Sequence, residues 1–110
     1  MGTKGAKDST VGRAAAEALV DDLQSLGAVT SKRMFGGHGI FHDGTMFAIV
    51  DSTGGCFLRS DAATTRCFEE RGSAKHDRMP YWQIPDAVRD HEATLLSWAQ
   101  QSVEIAHAAK

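Results

Sequence analysis

Long hydrophobic runs are missing from this 110-residue chain. The longest, Met46 to Val50, falls far short of the roughly 20 apolar residues that a membrane helix requires. The opening MGTKGAKDST has no apolar stretch of the kind a secretory leader needs, so a cytoplasmic location is expected. Cysteine is scarce: Cys56 and Cys67 are too few for a disulfide framework, and both are expected as free, buried thiols. An excess of either charge is also lacking. Twelve basic and 14 acidic residues leave a formal net charge of −2, which excludes a whole-molecule field that would gather polyanions. Any nucleic-acid binding must therefore come from a local patch.

What is present is an ordinary globular composition, 42% hydrophobic and 24% charged, at a length suited to one core. Residues 1–8 are small, polar and charged and read as a disordered tail, leaving 9–110 as one domain. Ser9 or Thr10 can cap a helix whose apolar positions Val11, Ala15, Ala18, Leu19, Leu23 and Leu26 share a face, with Gly27 as its stop. From Val29 the pattern changes to short β-prone runs separated by glycine: VTSKRMF, HGIFH, TMFAIV and GCFLRS. Asp43-Gly44 predicts a tight hairpin because its primed turn needs positive φ at both residues, and Ser52-Thr53-Gly54-Gly55 predicts another reversal. Strict alternation in the third run places Met46, Ala48 and Val50 on one face and Phe47 and Ile49 on the other.

Asp61 can cap a second helix reaching Arg71 and ended by Gly72, with Cys67 and Phe68 inward. Tyr81 to Ile84, framed by Pro80 and Pro85, reads as an edge strand. A helical turn at 86–89 follows, and Asp90 can cap a long final helix that buries Leu95, Leu96, Trp98, Ala99, Val103 and Ala106. The fold class is α+β: an antiparallel meander of four strands plus an edge strand, packed with terminal helices and a short middle helix, in the order α-β-β-β-β-α-β-α.

No constellation amounts to an active site. His38 and His42 stand four apart among glycines in an extended run, about 13 Å from one another at a rise near 3.3 Å per residue, too far to chelate one ion together. Cys67 has no partner motif such as GxSxG or CxxC, and Gly36-Gly37-His38-Gly39 opens no helix that could cradle phosphate. Neither a catalytic residue, a metal ligand nor a cofactor is expected. Two surface readings remain. Lys32, Arg33, Arg59, Arg66, Arg71, Lys75 and Arg78 could gather into a nucleic-acid contact, although Glu69, Glu70 and Asp77 offset three of the basic residues between 66 and 78. Tyr81 and Trp82 could instead present an exposed aromatic patch on an uncovered strand edge, a place for a protein partner.

The string MFGGHGIF at 34–41, DG at 43–44, FAIV at 47–50 and MPYWQIP at 79–85, ahead of an amphipathic helix containing Trp98, resembles the N-terminal domain of the TfoX family over roughly residues 12–108. His38 stands where an aromatic residue such as Tyr is common in that family. The resemblance implies a bacterial α+β domain named after regulators of natural competence for DNA uptake, which act with the transcription machinery and carry a second, helical domain. This chain ends at Lys110 without one and is expected to be a stand-alone version. No catalytic or cofactor residue comes across with the resemblance. The expected role is a non-enzymatic regulatory module that contacts another protein, with direct nucleic-acid binding as the alternative, no membrane partner, and both monomer and homodimer open.

Overall fold

The computed structural model describes residues 10–34, 36–76 and 79–109. The expected tail at 1–8 and the basic candidate Arg78 lie outside the described residues.

Helix α1 (Thr10–Asp22) buries Gly12, Ala16 and Leu19, and a 3-10 turn (Gln24–Leu26) follows Leu23, which is fully buried. These four residues recur at intervals of four, three and four, the stripe a 3.6-residue period places on one side. Val11, expected on that stripe, is 60% exposed, because Gly12 and not Val11 sits against the sheet. A side chain at position 12 would come within 3.0 Å of the Asp51 carbonyl oxygen, so glycine lets the helix start lie close to the turn after the third strand.

Five strands follow in a single antiparallel sheet with spatial order equal to chain order: β1 (Val29–Met34), β2 (Gly37–His42), β3 (Thr45–Val50), β4 (Cys56–Arg59) and β5 (Tyr81–Gln83). The β2–β3 hairpin turns at Asp43 (φ 50°) and Gly44 (φ 83°), the two positive φ values the sequence called for. Asp51 organises the next reversal. Its carboxylate accepts hydrogen bonds from the Thr53 and Gly55 amides at 3.0 and 2.8 Å and from the Thr53 hydroxyl at 2.7 Å.

A β-bulge changes the expected facing of β3. Ile40 pairs with Ala48 but Phe41 pairs with Met46, so Phe47 is the extra residue. Two successive side chains at a bulge can serve one face, and Phe47 and Ala48 are both fully buried in the core with Val50. Met46 and Ile49 are left half-buried on the opposite face. The strict alternation expected from sequence is therefore wrong by one step at Phe47.

Helix α2 (Ala62–Glu70) opens on a capping box: Asp61 accepts from the Thr64 amide at 2.9 Å while the Thr64 hydroxyl accepts from the Asp61 amide at 3.1 Å. Phe68 is its buried residue, whereas Cys67, expected inward, is exposed. Adjacent helical positions are turned by about 100°, and only one of the pair can face the core. After β5, α3 (Asp86–Arg89) and α4 (Glu92–Ala108) complete the chain. His91, not Asp90, precedes α4 as its cap residue and makes no side-chain capping bond. Leu95, Ala99, Ser102, Val103 and Ala106 form the buried stripe of α4, and the Ser102 hydroxyl donates to the Arg59 carbonyl at 2.8 Å. Toward the end of α4, the His107 Nε2 and His42 Nδ1 atoms lie 3.0 Å apart.

The helices share one face of the sheet. Packing there unites Leu19, Leu23, Ile40, Phe47, Val50, Leu58 and Leu95, all at 1% exposure or less. Phe68 stacks on Trp82 at 6.3 Å and meets Trp98 edge-on at 5.0 Å, closing this layer beside β5. The opposite face has no helix over it among the described residues and is partly roofed by His76 and Met79.

Candidate functional site

The expected aromatic patch on β5 does not form. Tyr81 and Trp82 are successive strand residues and so point to opposite faces. Tyr81 is 1% exposed, with its hydroxyl 3.4 Å from the Met46 carbonyl and the Arg59 guanidinium 6.0 Å from its ring centroid. Burial raises its phenol pKa, an effect Arg59 partly opposes. Trp82 is half-buried beneath Phe68. The edge itself is occupied as well. The Gln83 amide donates to the Ala74 carbonyl and the His76 amide to the Tyr81 carbonyl, each at 2.8 Å, so residues 74–76 pair along the outer side of β5. The polar composition of 73–78 hid this, because backbone pairing needs no particular side chain.

The basic candidates do not converge either. Lys32 and Arg33 lie on β1, at the opposite end of the sheet from β5, and as neighbours on a strand they point to opposite faces. Three inter-strand spacings separate β1 from the Arg59 strand, about 14 Å at roughly 4.8 Å each. Arg59 is half-buried over Tyr81, and Arg71 lies 5.4 Å from the Trp98 ring centroid. Arg66 and Lys75 are exposed on α2 and on the segment pairing with β5. Two edges and two faces thus divide the set.

What the fold does assemble is a groove on the face opposite the helices. A cavity of about 220 Å³ is lined there by Met34 from β1, Met46 and Ile49 from β3, and the roofing residues His76 and Met79. Gly39 makes room for it: a side chain at that position would meet the Met34 and Met46 sulfurs at 2.7 and 2.8 Å. The bulge in β3 contributes too, since it is what turns Met46 and Ile49 to this side while Phe47 and Ala48 fill the core. Methionine is unbranched and polarizable, and three of them create an apolar surface that can repack around differently shaped partners. The polar capacity is small and specific. His38 and His76 both border the cavity, and the Nδ1 atom of each is buried without a hydrogen-bond partner. The His76 ring is held edge-on against Phe57 at 4.9 Å.

None of these groups forms a nucleophile and base pair. Cys56, the second thiol of the chain, is half-buried, and burial pushes its pKa up even with the Arg89 guanidinium opposing that shift. Arg89 is also paired with Asp22, joining α3 to the end of α1. Among the described residues no group of three or more His, Cys, Asp or Glu is placed to hold a metal ion, and no helix is long and apolar enough to cross a membrane.

Three sequence blocks that carry the family resemblance meet at this groove: Met34, Gly37 and His38 from the first, Ile49 from the β3 block, and Met79 from the last. Across 96 residues the chain is 26% identical to the DNA transformation protein TfoX1 of Aliivibrio fischeri, a match covering 80% of this chain and 46% of that protein. The chain thus spans about half the length of this curated relative. Residues 21–106, most of the chain and all five strands, match the TfoX N-terminal domain family, and the protein belongs to that family.

Proposed function

We infer that this domain is a regulatory interaction module, and that its partner is a protein which seats an apolar side chain in the groove between Met34, Met46, Ile49 and Met79. The carrying observation is the groove itself: Met34 and Met46 on a sheet face that no helix covers among the described residues, with Met79 beside them and two buried imidazole nitrogens that have hydrogen-bonding capacity to spare. A flexible thioether lining suits recognition by packing. Family membership supports a role through protein contacts. The relative named for DNA transformation supports placing the partner in competence or transcription regulation, and hence in the cytoplasm. The divided basic residues lend no comparable support to direct nucleic-acid binding.

The test is a parallel affinity purification from the native cell with the unaltered domain, Met79→Lys and Gly39→Leu. Met79 is 38% exposed, so a lysine there leaves the core untouched while placing a charge at the groove. A leucine at position 39 displaces the two sulfurs instead. A partner retained by the unaltered domain and lost from both folded variants is the expected result. Equal retention by all three would remove the groove from the account.

A further inference from the structure

We propose that His42 and His107 form a chelating site for a late first-row divalent cation, with copper(II) the preferred ion, linking β2 to the last turn of α4. The two residues are 65 positions apart in sequence, yet the fold brings His42 Nδ1 to 3.0 Å from His107 Nε2. Their rings stand nearly perpendicular, at 86°, with centroids 5.2 Å apart, and both side chains are partly buried. In the metal-free protein this contact is a hydrogen bond between imidazoles, one nitrogen donating and the other accepting.

The spacing also fits a shared ion. Two nitrogens 3.0 Å apart, each about 2.05 Å from a common metal, subtend an angle near 94° at that metal. Adjacent positions of a tetragonal or octahedral ion are about 90° apart, whereas a tetrahedral zinc would need the nitrogens about 0.3 Å further apart. Geometry therefore favours copper(II) or nickel(II) over zinc, and the usual order of affinities places copper(II) first. Water would fill the remaining positions. Location supplies a second argument. His107 lies in the last turn of the 17-residue helix α4, where the unpaired carbonyls and helix dipole favour positive charge. Binding forms two metal–nitrogen bonds and releases two waters from the hydrated ion, while the proton that lay between the two nitrogens moves through solvent to the other nitrogen of the donor ring, so that both imidazoles ligate in the neutral form.

The experiment uses the full chain carrying Cys67→Ser, which removes the exposed thiol that would reduce or capture copper. Copper(II) is added at neutral pH and read by electron paramagnetic resonance and calorimetry. One ion per chain with coupling to two imidazole nitrogens is expected. His42→Gln and His107→Gln are each expected to weaken binding at least tenfold and to remove one nitrogen coupling, with amide spectra unchanged away from the site. His91→Gln, at an exposed position before α4, should bind as the parent does. Failure of the parent to show two-nitrogen coupling would overturn the site irrespective of how the variants fold. So would undiminished affinity in the two substituted chains.

Discussion

Replacing Gly37 with alanine puts one methyl group where the β2–β3 pairing has no space. The added carbon would lie 2.4 Å from the Val50 carbonyl oxygen, 3.1 Å from the Asp51 Cα and 3.4 Å from the Val50 carbonyl carbon. All three atoms are backbone, so no side chain can rotate away. To reach ordinary contact, β2 and the end of β3 must separate by close to an ångström just where His38 pairs with Val50, whose side chain is fully buried. Overpacking typically costs about 1–3 kcal/mol, and a clash with backbone alone belongs at the upper end, about 3 kcal/mol. For a domain near this size each kcal/mol moves the midpoint by about 4–8 °C, giving a fall of roughly 12–24 °C. Urea and thermal denaturation followed by circular dichroism measure it directly. A Gly37→Ala protein within about 0.5 kcal/mol of the parent would refute the reasoning, because it would mean the strands part here at little cost.

Ser102→Ala removes the hydroxyl that donates to the Arg59 carbonyl from a position only 2% exposed, and is expected to cost about 1 kcal/mol in urea denaturation. Phe47→Ala empties a fully buried site at the bulge and should cost about 3–5 kcal/mol, whereas facing based on strict alternation would make the loss much smaller. In the native protein Cys67 should react quickly with iodoacetamide and Cys56 slowly, one being exposed and the other half-buried with a raised pKa; mass spectrometry of the digested protein separates them. Asp61→Ala should lower the midpoint at neutral pH. The Thr64 amide holds the Asp61 carboxyl below its usual pKa, so its stabilisation is complete above the ordinary aspartate range and is lost as pH falls through the lowered value. The gap between the two proteins should accordingly close in acid.

Local signals were legible where a single residue type has one structural use. Asp43-Gly44 specified its hairpin, Asp61 its helix start, and the spacing of Leu95, Ala99, Val103 and Ala106 the buried side of the final helix. Features set by long-range pairing were not. The bulge at Phe47 depends on how β2 registers against β3, and no residue in TMFAIV announces it. Tyr81 looked like an edge aromatic, since nothing in the polar composition there shows that the backbone of residues 74–76 pairs along β5. The groove was invisible for the same reason: Met34, Met46 and Met79 come from three separate segments, and only the folded sheet and its roof bring them together. One available clue was that these methionines fall in or beside the blocks that carry the family resemblance. His42 and His107 were likewise too far apart in sequence to be read as a pair.

The claim that the methionine groove is where this domain meets its partner is tested most directly by labelling the methionine methyl groups and recording their nuclear magnetic resonance spectrum as the captured partner is added. The signals of Met34, Met46 and Met79 are expected to shift or broaden together and saturably, while duplex and single-stranded DNA at low salt leave them in place. Partner binding that leaves all three signals unmoved would contradict the account.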